Sequence, residues 1–212
     1  PPRSTLFPYT TLFRSVIERI YKAFENIGYE IRKPNIMKKS IYSAVDYGVP
    51  QDRRRVIIFG VLKDGNISLE KLYDQLTKLK IDGEKKTVRD AIGNLPKFRV
   101  LDKSYKEGSR NVSHELIGSE IISLHEARYN NMRDIQMFKI WLSNNMNYCS
   151  NEEKLEFYHK ITGHTTNHNK YRNIEWDKPS PTIVSHLYKD GFMFIHPLDR
   201  KSTRLNSSHR CI

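Results

Sequence analysis

Cysteine is nearly missing from this chain of 212 residues. Only Cys149 and Cys211 occur, and no CxxC pair exists from which a metal framework could be built. Long apolar runs are missing too: none approaches bilayer length, and the Phe-rich start is broken by Pro8 and Arg14, too short for a signal peptide. A reducing, cytoplasmic compartment without a membrane span is therefore the expectation. Acidic residues are in the minority, with 24 Asp and Glu against 36 Lys and Arg, a net charge of +12. That balance suggests an anionic partner.

The two ends weaken the charge argument. Residues 1–15 lack helical or strand periodicity, and Thr5 to Ser15 is the codon-by-codon translation of a common short-read sequencing adapter. Asp199 to His209 similarly translates the partner adapter, with Arg210 and Cys211 as barcode. The expected natural fragment is Val16 to Leu198, the alternative being a pair of natural disordered tails. The ends hold Arg3, Arg14, Arg200, Lys201, Arg204 and Arg210 against Asp199, a net +5, so residues 16–198 keep +7 of the +12. This permits nucleic-acid binding without demanding it. Cys149 alone remains in the fragment, which excludes an internal disulfide.

Tyr47 to Gly60, YGVPQDRRRVIIFG, is the most distinctive stretch. A Pro-led loop and three arginines run directly into Val56 to Phe59, which reads as a buried strand. The cluster suits a rigid grip on phosphate or a base edge, or else is a solvated charge run beside a core strand. Before it, Val16, Ile20, Phe24 and Ile27 recur at helical spacing ahead of Gly28, predicting a helix over 16–27, and Tyr29 to Arg32 alternates as a short strand. After it, Leu69, Leu72, Leu76 and Leu79 mark a second helix, and Thr87 with Asp90 forms a capping-box pattern for a short helix ending at Gly93. From Lys97 to about Lys170 the chain is polar and rich in Asn and His, with helical patterns near Ser119 to Glu126, Arg133 to Leu142 and Glu152 to Ile161. Pro179 to Val184 and Phe192 to Pro197 read as two strands joined by a loop at Lys189-Asp190-Gly191. The sequence of elements is that of an α/β fold.

Cys149, His159, His164 and His168 invite a zinc reading. The single thiol, its distance from His159 and the lack of a paired ligand favour a polar surface or DNA-facing segment instead.

The string DYGVPQDRRRVIIFG resembles the QxRxR motif of the DNA cytosine-5 methyltransferases, with Gln51, Arg53 and Arg55 at the motif positions. TVRDAIGNLP at Thr87 to Pro96 resembles the segment that follows it in that family, and YRNIEWDKPSPTIVSHLYKDGFMFIHP at Tyr171 to Pro197 resembles the motif closing its target-recognition region. Three blocks in the family's order cover about half of the natural fragment.

The resemblance implies the C-terminal part of a Rossmann-like S-adenosylmethionine-dependent methyltransferase domain carrying an inserted mixed target-recognition domain. The partial catalytic domain would span 16–62, the connecting segment and target-recognition domain 63–170, and the return strands 171–198. The family methylates the 5-position of a cytosine flipped out of double-stranded DNA. Flipping is needed because a stacked base hides its ring face from a nucleophile. A thiolate adds at the 6-position, a carboxylic acid assists at the ring nitrogen, and elimination follows methyl transfer. Carried over by position, Arg55 would hold the flipped cytosine's carbonyl or phosphate, Arg53 the neighbouring backbone, Gln51 would order the loop, and Thr182 would donate to a flanking phosphate. Thr182 reads equally as an ordinary strand threonine. Arg54 falls at a variable position. Arg99, Lys103, Lys106, Arg110, Arg128, Arg133, Lys170 and Arg172 are candidates for phosphate contact in the target-recognition region.

The family's glycine-rich cofactor loop, Pro-Cys nucleophile and Glu-Asn-Val acid belong upstream of Val16, and its last motif downstream of Leu198. No catalytic residue is therefore expected here, and the fragment alone should be inactive. Cys149 follows no proline and reads as a structural thiol. The intact enzyme is expected to be a monomer, and a non-catalytic, sequence-specific DNA-binding module is the alternative. An RNA-binding protein is disfavoured because no aromatic stacking motif is visible. Resequencing the source locus across both junctions should show other DNA in place of the adapter strings. Native sequence continuing through either string would sink the adapter reading.

Overall fold

The computed structural model describes residues 11–119, 122–123, 125–183 and 191–198. The chain is mixed α/β and divides between Lys85 and Lys86 into two compact units. No helix among the described residues is long and apolar enough to cross a membrane.

In the first unit, α1 (Thr11–Asn26) begins ahead of the expected Val16. Its Ile17 packs with Ile31 and Met37, joined by Ile20, Phe24 and Ile58. Val16 and Ile27, also placed on the apolar stripe by spacing, are instead exposed. β1 (Tyr29–Glu30) is shorter than the alternation suggested and pairs antiparallel with β5 (Val61–Leu62). β2 (Ile41–Ser43) pairs antiparallel with β4 (Arg54–Val56), setting Tyr42 opposite Arg55 and Ser43 opposite Arg54. Between them lie a 3-10 turn, Ala44–Tyr47, and the two-residue strand β3 (Gln51–Asp52).

The expected buried strand Val56 to Phe59 is corrected by this register. The strand lies on the arginines and ends at Val56, which is itself exposed. Ile57 and Phe59 turn to one cluster, around Tyr42, Val61, Leu69 and Tyr73, and Ile58 to the other, around Ile17. A side chain replaces the ladder there: the Tyr73 hydroxyl donates to the Ile57 carbonyl and accepts from the Phe59 N–H, both at 3.2 Å.

Tyr73 sits on α2 (Leu69–Lys78), whose N-terminus is capped by Ser68. Arg32 fastens that helix. Its guanidinium lies 3.4 Å over the Tyr73 ring, forks to both Glu70 oxygens at 3.1 and 2.6 Å, and donates to the Lys39 carbonyl. Stacking and bidentate pairing both exploit the planar guanidinium, a combination lysine lacks.

In the second unit, Thr87 and Asp90 form the expected capping box at α3 (Val88–Ile92). The Thr87 N–H and hydroxyl hold the Asp90 carboxyl below its ordinary pKa. β6 (Phe98–Glu107) and β7 (Arg110–Leu116) then make an antiparallel hairpin that the sequence reading did not foresee. Gly108, at φ +60, followed by Ser109 outside the left-handed region, is the pattern of a two-residue type II′ turn. The helix expected near Ser119 to Glu126 is corrected: the described residues of that stretch form turns and irregular backbone.

α4 (Met132–Ser143) and α5 (Asn151–Thr162) fall where periodicity placed them, capped by Asn131 and by a Ser150/Glu153 box. They frame an aromatic core of Met137, Phe138, Trp141, Met146, Tyr171 and Ile195, with Phe157 and Phe192 against it. Trp141 meets Phe157 and Tyr171 edge-on at 5.5 and 5.7 Å.

The expected return strands are corrected in part. Gly191–Phe194 is a 3-10 turn, and only Ile195 bridges, in parallel, to Asn173. Phe194 and Ile195 are both buried, in different clusters. Ser180–Pro181 is a two-residue strand, β8. The turn at Lys189-Asp190 lies outside the described residues.

Glu70→Ala should destabilise the first unit by about 1–2 kcal/mol, because Arg32 is buried and Glu70 faces solvent, which holds the loss near the low end for charged hydrogen bonds. The hydrogen bond from Arg32 keeps the Glu70 pKa below its ordinary 4.5. A depressed carboxylate pKa stabilises above the unfolded value and stops doing so as pH falls through the folded one. Urea titrations of wild type and Glu70→Ala should therefore differ at neutral pH and converge below the carboxylate range.

Candidate nucleic-acid interface

The arginine strand is positioned by a tight turn before it. The Ala44–Tyr47 turn closes on Gly48 in the left-handed region, at φ +78, where a side chain would be strained. Its N–H reaches the Val45 carbonyl, and the Val49 N–H reaches that of Ala44. The Ala44 N–H in turn takes the Arg53 carbonyl at 3.0 Å. Gln51 is half-buried in this loop, and Arg53, Arg54 and Arg55 are exposed.

Strand alternation separates the three arginines. Arg53 and Arg55 border one open concavity, floored by Tyr42, Tyr47, Ile57 and Leu76. Arg54 is not part of it, and its Nε stands 3.9 Å from Asp52 Oδ1. Arg55 Nη1 donates back to the Arg54 carbonyl at 2.6 Å. Arg53 and Arg55 thus present a paired positive rim over an apolar floor, an arrangement suited to an anionic group attached to a flat ring.

Tyr47 adds a feature that spacing did not signal. Among the described residues, its hydroxyl is the one buried side-chain oxygen or nitrogen without a hydrogen-bond partner. Burial first, then the neighbouring Tyr42 and Asp46, push its pKa up, so it stays protonated at neutral pH. Thr182 belongs to the second unit and is half-buried just after β8.

The basic residues of the 97–172 stretch sort into committed and uncommitted groups. Arg99 pairs with Glu115, Arg110 with Glu126 at 3.1 Å, and Arg133 with Asp134 at 3.3 Å. Arg89, on α3, pairs with Asp177 at 2.8 Å. Lys103 and Lys106 are exposed on the hairpin and enter no described ion pair.

A second cleft in the second unit escaped the sequence reading. Asn147 Oδ1 accepts from Trp141 Nε1 at 3.2 Å and from the Asn173 N–H at 3.1 Å. Asn147 Nδ2 donates to the Asn173 carbonyl and to Glu175 Oε1, and Tyr148 and Lys178 hold Glu175 Oε2. Burial pushes the Glu175 carboxyl up, but the hydrogen bonds from Lys178, Tyr148 and Asn147 outweigh it and leave its pKa lowered. These groups satisfy one another, so the network clamps 145–148 onto 173–178. Scattered asparagines carry no spacing that would have revealed it.

No group of three or more His, Cys, Asp or Glu residues among the described ones is arranged to hold a metal ion. Cys149 is half-buried, its thiol 3.8 Å from the Met146 sulfur.

The family model described as C-5 cytosine-specific DNA methylase matches residues 10–192. The chain is 26% identical over 202 residues to the Type II methyltransferase M.Bpa9945I of Bacillus paralicheniformis, covering 86% of this chain and 44% of that protein. It is 38% identical over 92 residues to the Type II methyltransferase M.MthTI of Methanothermobacter thermautotrophicus, covering 43% and 24%. Against the Type II methyltransferase M.DdeI of Desulfomicrobium norvegicum it is 27% identical over 188 residues, covering 84% and 42%. The chain spans less than half the length of each of these relatives. No solved structure matches it.

Metal analysis of the purified protein should find zinc well below one equivalent. A stoichiometric amount would restore the ligand reading of Cys149 and the histidines.

Proposed function

Because the chain belongs to the C-5 cytosine-specific DNA methylase family, we propose that it is the C-terminal part of an enzyme that methylates the 5-position of a flipped-out cytosine in double-stranded DNA. The Type II relatives favour a role in restriction-modification, protecting the DNA of a cytoplasm that holds a matching nuclease. Residues 16–62 and 171–198 would complete a Rossmann-like catalytic domain, interrupted by a connecting segment and target-recognition domain at 63–170. The intact enzyme would act as a monomer.

The observation that carries the reading is the sorting of the arginines. Arg53 and Arg55 share a concavity and Arg54 is turned toward Asp52, which matches the QxRxR spacing, two arginines on one face with a variable residue between. In this role Arg55 holds an oxygen of the flipped cytosine or of its phosphate, and Arg53 grips the adjoining backbone. The ring of the base would rest toward the apolar floor. Gln51 orders the turn that feeds the strand, and Thr182 donates to a phosphate beside the flipped nucleotide.

S-adenosylmethionine is the methyl donor of the family, but the residues present do not fit as its cradle. Glycines with positive φ fall at Gly28, Gly48, Gly83, Gly108, Gly118 and Gly163, each in a separate turn rather than gathered in one loop. Nucleophile, acid and cofactor loop would all come from sequence preceding Val16, so no chemical step is assigned to this chain.

In the full-length enzyme, Arg55→Ala should reduce methyl transfer by roughly ten- to a hundredfold, the worth of a charge-assisted hydrogen bond. Arg54→Ala should stay near the wild-type rate. Equal loss in the two variants, read by tritiated methyl incorporation into DNA, would count against this register.

A further inference from the structure

We propose that the tip of the β6–β7 hairpin enters the major groove of the substrate duplex and reads bases through Lys106 and Asn111. The assignment rests on the DNA methyltransferase reading and names the element that supplies specificity.

The hairpin has a fixed root and a projecting tip. At the root, Phe98 is buried against His125, whose Nε2 meets the Pro96 carbonyl at 2.7 Å. Ser113 and His114 are buried on the facing strand, and the Ser113 hydroxyl accepts from the Asn130 N–H. The tip is different: residues 102–111 are all exposed.

Root and tip are separated by a bulge. Pairing runs from Phe98↔Leu116 to Val100↔His114 and resumes at Tyr105↔Val112, so residues 101–104 oppose Ser113 alone. Such an irregularity bends a ribbon and increases its twist. Beyond it the pairs Tyr105↔Val112, Lys106↔Asn111 and Glu107↔Arg110 lead into the II′ turn.

A two-stranded ribbon has the cross-section that a B-DNA major groove admits. Lys106 and Asn111 stand directly opposite each other, on the same face of the ribbon. Lysine donates to the O6 and N7 of guanine, and asparagine pairs with the N6 and N7 of adenine. The arginines of the hairpin pair with Glu115 and Glu126, whereas Lys103 and Lys106 enter no described ion pair; with Asp102 and Glu107 counted, residues 102–111 carry three basic side chains against two acidic ones. Lys103, inside the bulge, falls to a phosphate.

The test uses the full-length methyltransferase on a duplex library with randomised flanks, methylated positions being read by bisulfite sequencing. For Lys106→Ala and Asn111→Ala, each confirmed folded by circular dichroism, preference should collapse at one or two base positions, discrimination falling by roughly five- to a hundredfold. Lys103→Ala should slow all sites alike and flatten the salt dependence of binding. Unchanged site preference in both base-reading variants, or an equal loss on every sequence, overturns the assignment while leaving the methyltransferase reading intact. A wild-type enzyme that methylates no DNA sinks both.

Discussion

The first unit depends on one buried guanidinium. Arg32 lies on the Tyr73 ring and forks to Glu70, which fixes α2 against the chain that follows β1. Tyr73 then uses its hydroxyl to hold the backbone at Ile57 and Phe59. That hold fixes the backbone of the segment just beyond β4. Ile57, which Tyr73 holds, lies in the floor beneath Arg53 and Arg55.

The second unit is organised by local stops and by aromatic packing. Thr87, Asn131 and Ser150 end the irregular backbone and start helices, because each side chain satisfies an N–H that the first turn leaves open. The helices then bury Trp141, Phe138 and Phe157 with Tyr171. Burial and the neighbouring Tyr158 and Asp134 raise the Tyr171 pKa to about 12, which keeps its ring neutral inside that core.

Legibility followed the reach of each interaction. α2, α3, α4 and α5 were readable because spacing and caps are local signals, as was the QxRxR spacing, which needs only strand alternation to sort its side chains. The Val56 to Phe59 segment was misread since the group replacing its ladder, Tyr73, comes from a distant helix. The hairpin was missed because its exposed tip has no buried face, and Lys103 to Asn111 therefore shows no apolar alternation. Phe192 to Pro197 has the aromatics and Ile that suit a strand, yet Gly191–Phe194 closes as a 3-10 turn. The Asn147–Glu175 clamp joins residues whose meeting no linear pattern announces.

The bulge at residues 101–104 has a further consequence. Because it interrupts the ladder between a buried root and an exposed tip, lengthening, shortening or recomposing the tip changes few contacts at Phe98, Ser113 or His114. Substitutions there are released from the demands of folding. Change at the tip can therefore accumulate without passing through unstable intermediates.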